Sequence, residues 1–115
     1  MALKCYMLDL KDDPELIARY RDWHAPGGPP PSVIASIRQA GIMEMRIFLT
    51  GNRLCMIAET TADFDAEARR HSDAGNAEVI EWEARMDAFQ QRLPWAKPGE
   101  KWVEAEPIFL LSDNV

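Results

Sequence analysis

The chain has 115 residues, of which 47% are hydrophobic and 28% charged, and its 13 Lys and Arg face 19 Asp and Glu for a net charge of −6. This composition predicts one globular domain over residues 1–115 and argues against nucleic-acid binding, which needs a basic patch. The sequence shows neither an apolar run of about 20 residues nor the pattern of a secretory signal, so we predict a cytoplasmic protein with no nucleic-acid or membrane partner.

The two cysteines, Cys5 and Cys55, form no CxxC motif and show no zinc-ligand spacing. Both lie in apolar, strand-like runs, and we interpret them as reduced core thiols, with a structural disulfide as the alternative. The sequence contains no cluster of metal ligands and no glycine-rich phosphate motif. We therefore predict no metal and no cofactor.

The first part of the chain is predicted to form a strand and two helices. Leu3–Leu10 is extended and mostly apolar, as expected of a strand with much of both faces buried. A helix over Pro14–His24 begins behind Asp13, whose side chain can cap the free amides. A second helix over Ser32–Ala40 ends at Gly41, which suits a left-handed cap.

A β-hairpin is predicted next. Met43–Leu49 alternates, with the apolar Met43, Met45, Ile47 and Leu49 on one face. Thr50-Gly51-Asn52 has the residues of a turn, and Leu54–Glu59 returns as the partner strand.

The last part of the chain is predicted to contain two helices and a final strand. Thr60–Ser72 is a polar helix, and Asn76 can cap a longer helix with the apolar stripe Val79, Trp82, Met86 and Phe89. Leu93–Glu100 is too rich in Pro and Gly to be helical. Trp102–Leu110 is predicted to be a strand at an edge or with a bulge, because Pro107 cannot donate a ladder hydrogen bond.

This order predicts an α+β fold, a ferredoxin-like βαββαβ antiparallel sheet with helices on one face. The strands carry apolar residues on both sides, so the second face of the sheet should also be covered. A second copy of the chain would cover it, and we expect a homodimer.

Tyr20 and His24 are the candidate catalytic residues. Four residues apart on one helix, they lie on the same face, and the Pro- and Gly-rich run 25–31 then stops the helix. Imidazole has an unperturbed pKa of about 6.5, so it can give and accept protons near neutrality. The pattern is typical of an acid/base site.

Each candidate also has a purely structural explanation. A single histidine at a helix end is often a cap or a surface residue. Tyr20 continues an apolar helix face, Met45 shares a face with Ile47, and Trp82 belongs to a stripe that any buried helix shows.

The sequence resembles the L-rhamnose mutarotase family along essentially its whole length. The landmarks in chain order are Asp13-Pro-Glu, Tyr20-x-x-x-His24, Ser36-Ile-Arg-Gln-Ala-Gly-Ile42, Gly51-Asn-Arg-Leu54, Glu81-Trp82, Gln90-Gln91, Pro94–Trp102 and Ile108-Phe109. The resemblance implies a dimeric α/β barrel that interconverts the α and β anomers of a 6-deoxy-L-hexose without a cofactor.

The resemblance also implies roles for single residues. His24 would be the proton donor and Tyr20 a sugar contact, with Met45, Trp82 and Glu83 at pocket positions. Met45 stands where the rhamnose enzymes carry a tyrosine, and Glu83 where they carry a second tryptophan. The longer loop 25–31 and the segment Pro94–Trp102 are closer to the branch associated with L-fucose, so we expect L-fucose first and L-rhamnose second.

A deoxyhexose offers an apolar C–H face, on which Trp82 and Trp95 are candidates to stack, while Glu83 is a candidate partner for a hydroxyl. Two other functions remain open at this point. One is a dimeric α/β-barrel monooxygenase acting on an aromatic substrate, since this architecture hosts several chemistries. The other is a non-catalytic sugar-binding module that uses the same pocket.

Overall fold

A computed structural model describes residues 2–115 as an antiparallel sheet with helices packed on one face. The elements in chain order are β1 (Ala2–Leu10), α1 (Pro14–Trp23), α2 (Pro31–Gln39), β2 (Ile42–Thr50), β3 (Arg53–Thr60), α3 (Ala66–Ala74), α4 (Ala77–Asp87), β4 (Gln90–Gln91), β5 (Val103–Glu104) and a 3-10 turn (Leu111–Asp113). The strand order is β2-β3-β1-β4, and β5 also pairs with β1. The predicted ferredoxin-like α+β fold is confirmed. The short strands β4 and β5 both pair with β1, at different residues along it.

Side-chain caps fix where three helices begin. Asp13 accepts hydrogen bonds from the amides of Glu15 and Leu16, at 2.9 and 3.3 Å, and Asn76 caps α4 in the same way. Both caps were expected from the sequence. Gly41 has a φ of +95°, so the predicted left-handed cap after α2 is also confirmed.

The third helix begins later than predicted. Thr60 is still paired in β3, and α3 starts only at Ala66, because Asp65 caps the amides of Glu67 and Ala68. The prediction of a helix over Thr60–Ser72 was therefore wrong at its start.

The last strand is shorter than predicted. Only Val103 and Glu104 pair with β1, opposite Met7 and Tyr6, and the Ala105 amide adds one hydrogen bond of 2.7 Å to the carbonyl of Cys5. Two residues further on, Pro107 has no amide hydrogen to extend the ladder. The strand predicted over Trp102–Leu110 therefore pairs over only two residues.

The core lies between the sheet and the helices. Every second residue of β3 is buried on the helix side, and the helices contribute their apolar stripes. The buried cluster comprises Leu10, Tyr20, Val33, Leu54, Val79, Trp82, Met86 and Phe89.

The opposite face of the sheet is partly open. Leu3 and Phe48 are 68% and 54% exposed, and Cys5 and Cys55 are half-buried there rather than in the core as predicted. The two thiols are free, as expected, with their Sγ atoms 3.5 Å apart. Within residues 2–115, no helix has the length and apolar character needed to cross a membrane.

Candidate functional site

His24 immediately follows α1, and its ring is fixed by the backbone of that helix. Its Nδ1 lies 2.8 Å from the carbonyl oxygen of Tyr20. A carbonyl oxygen only accepts, so Nδ1 is the nitrogen that carries hydrogen, and Nε2 holds the lone pair when the ring is neutral. The same contact satisfies one of the carbonyls that the end of the helix leaves without a helical partner.

Aromatic rings surround the imidazole. The Tyr20 ring centroid lies 4.2 Å from that of His24, and the Trp82 ring meets it edge-on at 5.6 Å. Trp23 packs at right angles to Trp82, and the Arg85 guanidinium lies 4.5 Å above the Trp23 ring. These contacts limit the rotation of the His24 ring.

Burial sets the protonation state of His24. Desolvation lowers its pKa below the ordinary 6.5 and outweighs the hydrogen bond to Tyr20, which acts in the other direction. The ring is therefore neutral at pH 7, with Nε2 able to accept a proton.

Tyr20 is buried behind this imidazole, with only 3% of its surface exposed. Its hydroxyl accepts a hydrogen bond of 3.3 Å from Nε2 of Gln90. Burial raises the pKa of Tyr20 to about 12, so the phenol stays protonated at neutral pH. Tyr20 therefore supports His24 through its carbonyl and its ring.

His24 forms part of the wall of a cavity of about 190 Å³ between the sheet and the helices. Most of the wall is apolar, contributed by α2, β2, β3 and α4, and it includes Val33, Ile37, Met45, Ile47, Met56, Trp82 and Trp102. The polar side chains on it are His24, Ser36, Arg69, Asp73 and Glu83. A larger groove of about 590 Å³ adjoins it and shares Met56, Arg69, Asp73, Glu83 and Trp102.

Glu83 is held at the boundary of these two cavities. Lys101 lies 2.7 Å from a carboxylate oxygen of Glu83 and 2.7 Å from one of Asp87. Burial alone would lower the pKa of Lys101, but the two carboxylates outweigh it and raise the pKa, so the lysine stays charged. A fixed carboxylate thus lies in the same wall as His24.

The loop after His24 turns sharply back over the helix end. A Cβ atom at Gly28 would clash with the backbone oxygen of Trp23, so a side chain does not fit there. Pro29, the next residue, lines the cavity. This close approach shapes the wall beside the imidazole.

Comparison with known proteins identifies the family. The L-rhamnose mutarotase family matches residues 4–111. The chain belongs to this family. It is 50% identical, over 96% of its length and 89% of the relative's, to an L-fucose mutarotase of Xanthomonas campestris pv. campestris.

Two solved structures share the fold of this L-rhamnose mutarotase family member. The crystal structure of an L-rhamnose mutarotase from Formosa agariphila matches with a TM-score of 0.65 at 16% identity, covering 96% of this chain and 99% of the other. Tetracenomycin F2 cyclase from Streptomyces glaucescens, a type-II polyketide cyclase, matches with a TM-score of 0.59 at 14% identity over 96% of both chains.

The structure of this family member brings most of the predicted site residues together. His24, Met45, Trp82 and Glu83 line one cavity, and Tyr20 lies directly behind His24. Trp95 lies outside it. The Trp95 side chain is 61% exposed, and the guanidinium of Arg53 lies 5.8 Å from its ring centroid.

Three further residues of the wall were not predicted. Trp102, rather than Trp95, is the second tryptophan of the wall beside Trp82, and Arg69 and Asp73 bring charge to the cavity from α3. The only sequence signal for the charged pair is its i, i+4 spacing, which is common on solvent-facing helices. Within residues 2–115, no three His, Cys, Asp or Glu side chains are grouped closely enough to hold a metal ion.

Proposed function

We propose that this protein is a cofactor-independent aldose mutarotase, an isomerase that interconverts the α and β anomers of a 6-deoxy-L-hexose. The observation that carries the proposal is the neutral imidazole of His24, anchored through Nδ1, in the wall of a cavity that Trp82 also lines. Membership of the L-rhamnose mutarotase family supports it.

The reaction requires two proton transfers. Ring opening removes the proton of the anomeric hydroxyl while the bond from C1 to the ring oxygen breaks and that oxygen gains a proton. Rotation about C1–C2 then presents the other face of the aldehyde, and closure reverses both transfers. We propose that Nε2 of His24 takes the proton of the anomeric hydroxyl and that the imidazolium so formed delivers this proton to the ring oxygen, which is the donor role implied by the family resemblance and is worth about 10²–10⁴ in rate.

The remaining predicted residues are proposed to bind the sugar. The Trp82 ring, which also meets His24 edge-on, is proposed to face the C–H surface of a deoxyhexose, and Met45 lies on the same wall. Glu83, held by its ion pair with Lys101, is proposed to accept a hydrogen bond from a hydroxyl. Tyr20 is proposed to orient the imidazole of His24, through its carbonyl oxygen and its ring, rather than to react itself.

We propose L-fucose as the preferred substrate and L-rhamnose as the second. The support is the 50% identity to a protein named L-fucose mutarotase, together with Met45 and Glu83, which replace the aromatic residues expected in a rhamnose enzyme. We also propose that the protein acts in the cytoplasm, which agrees with its free thiols.

We further propose a homodimer in which the outer face of the sheet packs against a second copy. The exposed apolar residues Leu3 and Phe48 lie on that face. The C-terminal segment Ile108–Leu111, referred to below as the C-terminal arm, exposes 92%, 69%, 54% and 77% of its four successive side chains. An apolar surface of this kind is typical of a protein interface.

The test is the rate of anomer exchange of L-fucose, measured by saturation-difference NMR against the rate without protein. We expect wild-type protein to accelerate exchange and His24→Ala to lose about 10²–10⁴ of that acceleration with an unchanged melting temperature. His71→Ala, on the exposed surface of α3, is the matched control and should exchange at the wild-type rate.

Full exchange in His24→Ala would remove the imidazole from the mechanism. Stabilisation of the wild-type protein by L-fucose without faster exchange would instead identify a binding module.

A further inference from the structure

We infer that the ion pair of Arg69 and Asp73 on α3 is a second polar subsite, which binds hydroxyl groups of the sugar and sets substrate specificity. This inference rests on the proposed function. Both side chains line the cavity that contains His24, Trp82 and Glu83, and they also line the larger groove beside it. They are thus positioned to contact a ring bound against Trp82.

The pair has hydrogen-bonding capacity that the protein leaves unused. Nε of Arg69 lies 3.4 Å from a carboxylate oxygen of Asp73, which is longer than a good hydrogen bond. Within residues 2–115, the only salt bridge of Arg69 is the one that Nε makes with Asp73, and its terminal nitrogens take part in none. Their side chains are 29% and 28% exposed, and both residues line the cavity, so a bound ligand could contact them.

Two other polar groups of the wall already have a partner in the protein. The Ser36 hydroxyl donates to the carbonyl of Val33 at 2.8 Å, and Glu83 is paired with Lys101. His24 is reserved for proton transfer in the proposed mechanism. The terminal nitrogens of Arg69 and the second carboxylate oxygen of Asp73 therefore add donors and an acceptor for a polyol to the acceptor proposed at Glu83.

The chemistry of the pair suits neighbouring hydroxyl groups. A hydroxyl both donates and accepts, a guanidinium only donates, and a carboxylate only accepts. Two adjacent hydroxyls can therefore bind Arg69 and Asp73 together.

The location on α3 makes the subsite independent of the core. None of the α3 residues is buried, so substitutions at Arg69 and Asp73 should leave the fold intact. The matched control is Glu81→Gln on α4, because Glu81 pairs with Arg85 at the same i, i+4 spacing and lines none of the cavities described above.

The experiment compares wild-type protein with Arg69→Gln, Arg69→Lys, Asp73→Asn and Glu81→Gln. Exchange NMR gives kcat and KM for L-fucose and for analogues that each lack one ring hydroxyl, and calorimetry gives the Kd of each. We expect Arg69→Gln and Asp73→Asn to weaken L-fucose binding about tenfold or more with little change in kcat, and Arg69→Lys to recover part of the loss. Glu81→Gln should match wild-type protein.

The analogues assign the hydroxyls. For the analogue without the hydroxyl bound by the pair, the substitutions should cause no further loss, since the interaction is already absent. Equal losses for every analogue, or unchanged Kd and KM in both variants, would overturn the inference.

The experiment distinguishes failure of the mutarotase proposal from failure of the Arg69–Asp73 subsite. If wild-type protein binds L-fucose without faster exchange, the mutarotase proposal fails, and the Kd values still decide the role of Arg69 and Asp73. If wild-type protein neither binds L-fucose nor accelerates its exchange, both proposals are wrong.

Discussion

At the scale of single residues, the surroundings of His24 set the protonation state and the tautomer of its imidazole. At the end of α1 the helix dipole would favour the charged ring, yet burial dominates and lowers its pKa. The hydrogen bond to the Tyr20 carbonyl selects the tautomer with a free Nε2. The neighbours of His24 thus determine both its charge and which nitrogen is available.

The lowered pKa of His24 predicts the pH dependence of activity. The ring is more than half neutral at pH 6.5, so kcat/KM should fall as the imidazole becomes protonated, with a midpoint below pH 6.5. Exchange rates of L-fucose at low concentration, measured from pH 4.5 to 8, would locate the midpoint. A midpoint at or above 6.5 would contradict the effect of burial, and His71→Asn should leave the profile unchanged.

The same shift affects stability in a defined direction. Below about pH 6.5 the unfolded chain binds a proton at His24 that the folded chain does not. The free energy of unfolding should therefore decrease as pH falls from 6.5 through the folded pKa of His24, and this contribution should disappear in His24→Ala.

At the scale of elements, the loop after α1 depends on the small size of one residue. A Cβ at Gly28 would collide with the Trp23 carbonyl, which is backbone and cannot move aside easily. We expect Gly28→Ala to lower the free energy of unfolding by about 1–3 kcal/mol and to reduce exchange activity, because Pro29 and His24 would shift.

Gly75→Ala is the control for this prediction. Its φ is −96°, and an added Cβ would make only an ordinary contact of 3.7 Å. Urea unfolding should therefore show Gly75→Ala near wild type. Equal stability of Gly28→Ala and wild type would show that the loop can relax away from the helix.

Local signals in the sequence predicted most elements. The Asp13 and Asn76 caps, the turn at Gly51 and the 3-4-3 stripe of α4 depend on neighbouring residues, and all appear in the structure. The errors arose where competing interactions decide. The Asp65 side chain caps α3 and so sets its first residue. The length of the last strand depends on its pairing with β1, which its own sequence does not specify.

The candidate site was predictable to the extent that it lies on one helix. The proximity of Tyr20 and His24 follows from helical geometry alone. Arg69, Asp73 and Trp102 join the cavity through the packing of α3 and the last segment, which no local pattern reveals. Trp95 was predicted to stack on the sugar because it is aromatic, but its side chain lies on the surface beside Arg53.

At the scale of the whole molecule, one face of the sheet is covered by helices and the other is available for a partner. We expect a dimer in solution that depends on the C-terminal arm, because its exposed apolar side chains gain most from burial. Light scattering should give twice the mass of the chain for wild-type protein and a reduced mass for the double variant Ile108→Ser, Phe109→Ser.

Ile80→Ser is the control for the dimer. Ile80 is an apolar side chain that is 52% exposed on α4, away from the sheet face, and its replacement should leave the mass unchanged. A wild-type mass equal to one chain at micromolar concentration would contradict the dimer.

The attachment of His24 to its own helix has a consequence for repeated turnover. Protonation at Nε2 leaves the Nδ1 hydrogen in place, so the bond to the Tyr20 carbonyl is the same before and after the imidazole takes up a proton. The ring does not have to swing between two orientations during a catalytic cycle. Fraying of the last turn of α1 would break this hydrogen bond. The imidazole therefore keeps its orientation from one turnover to the next only while that turn stays helical.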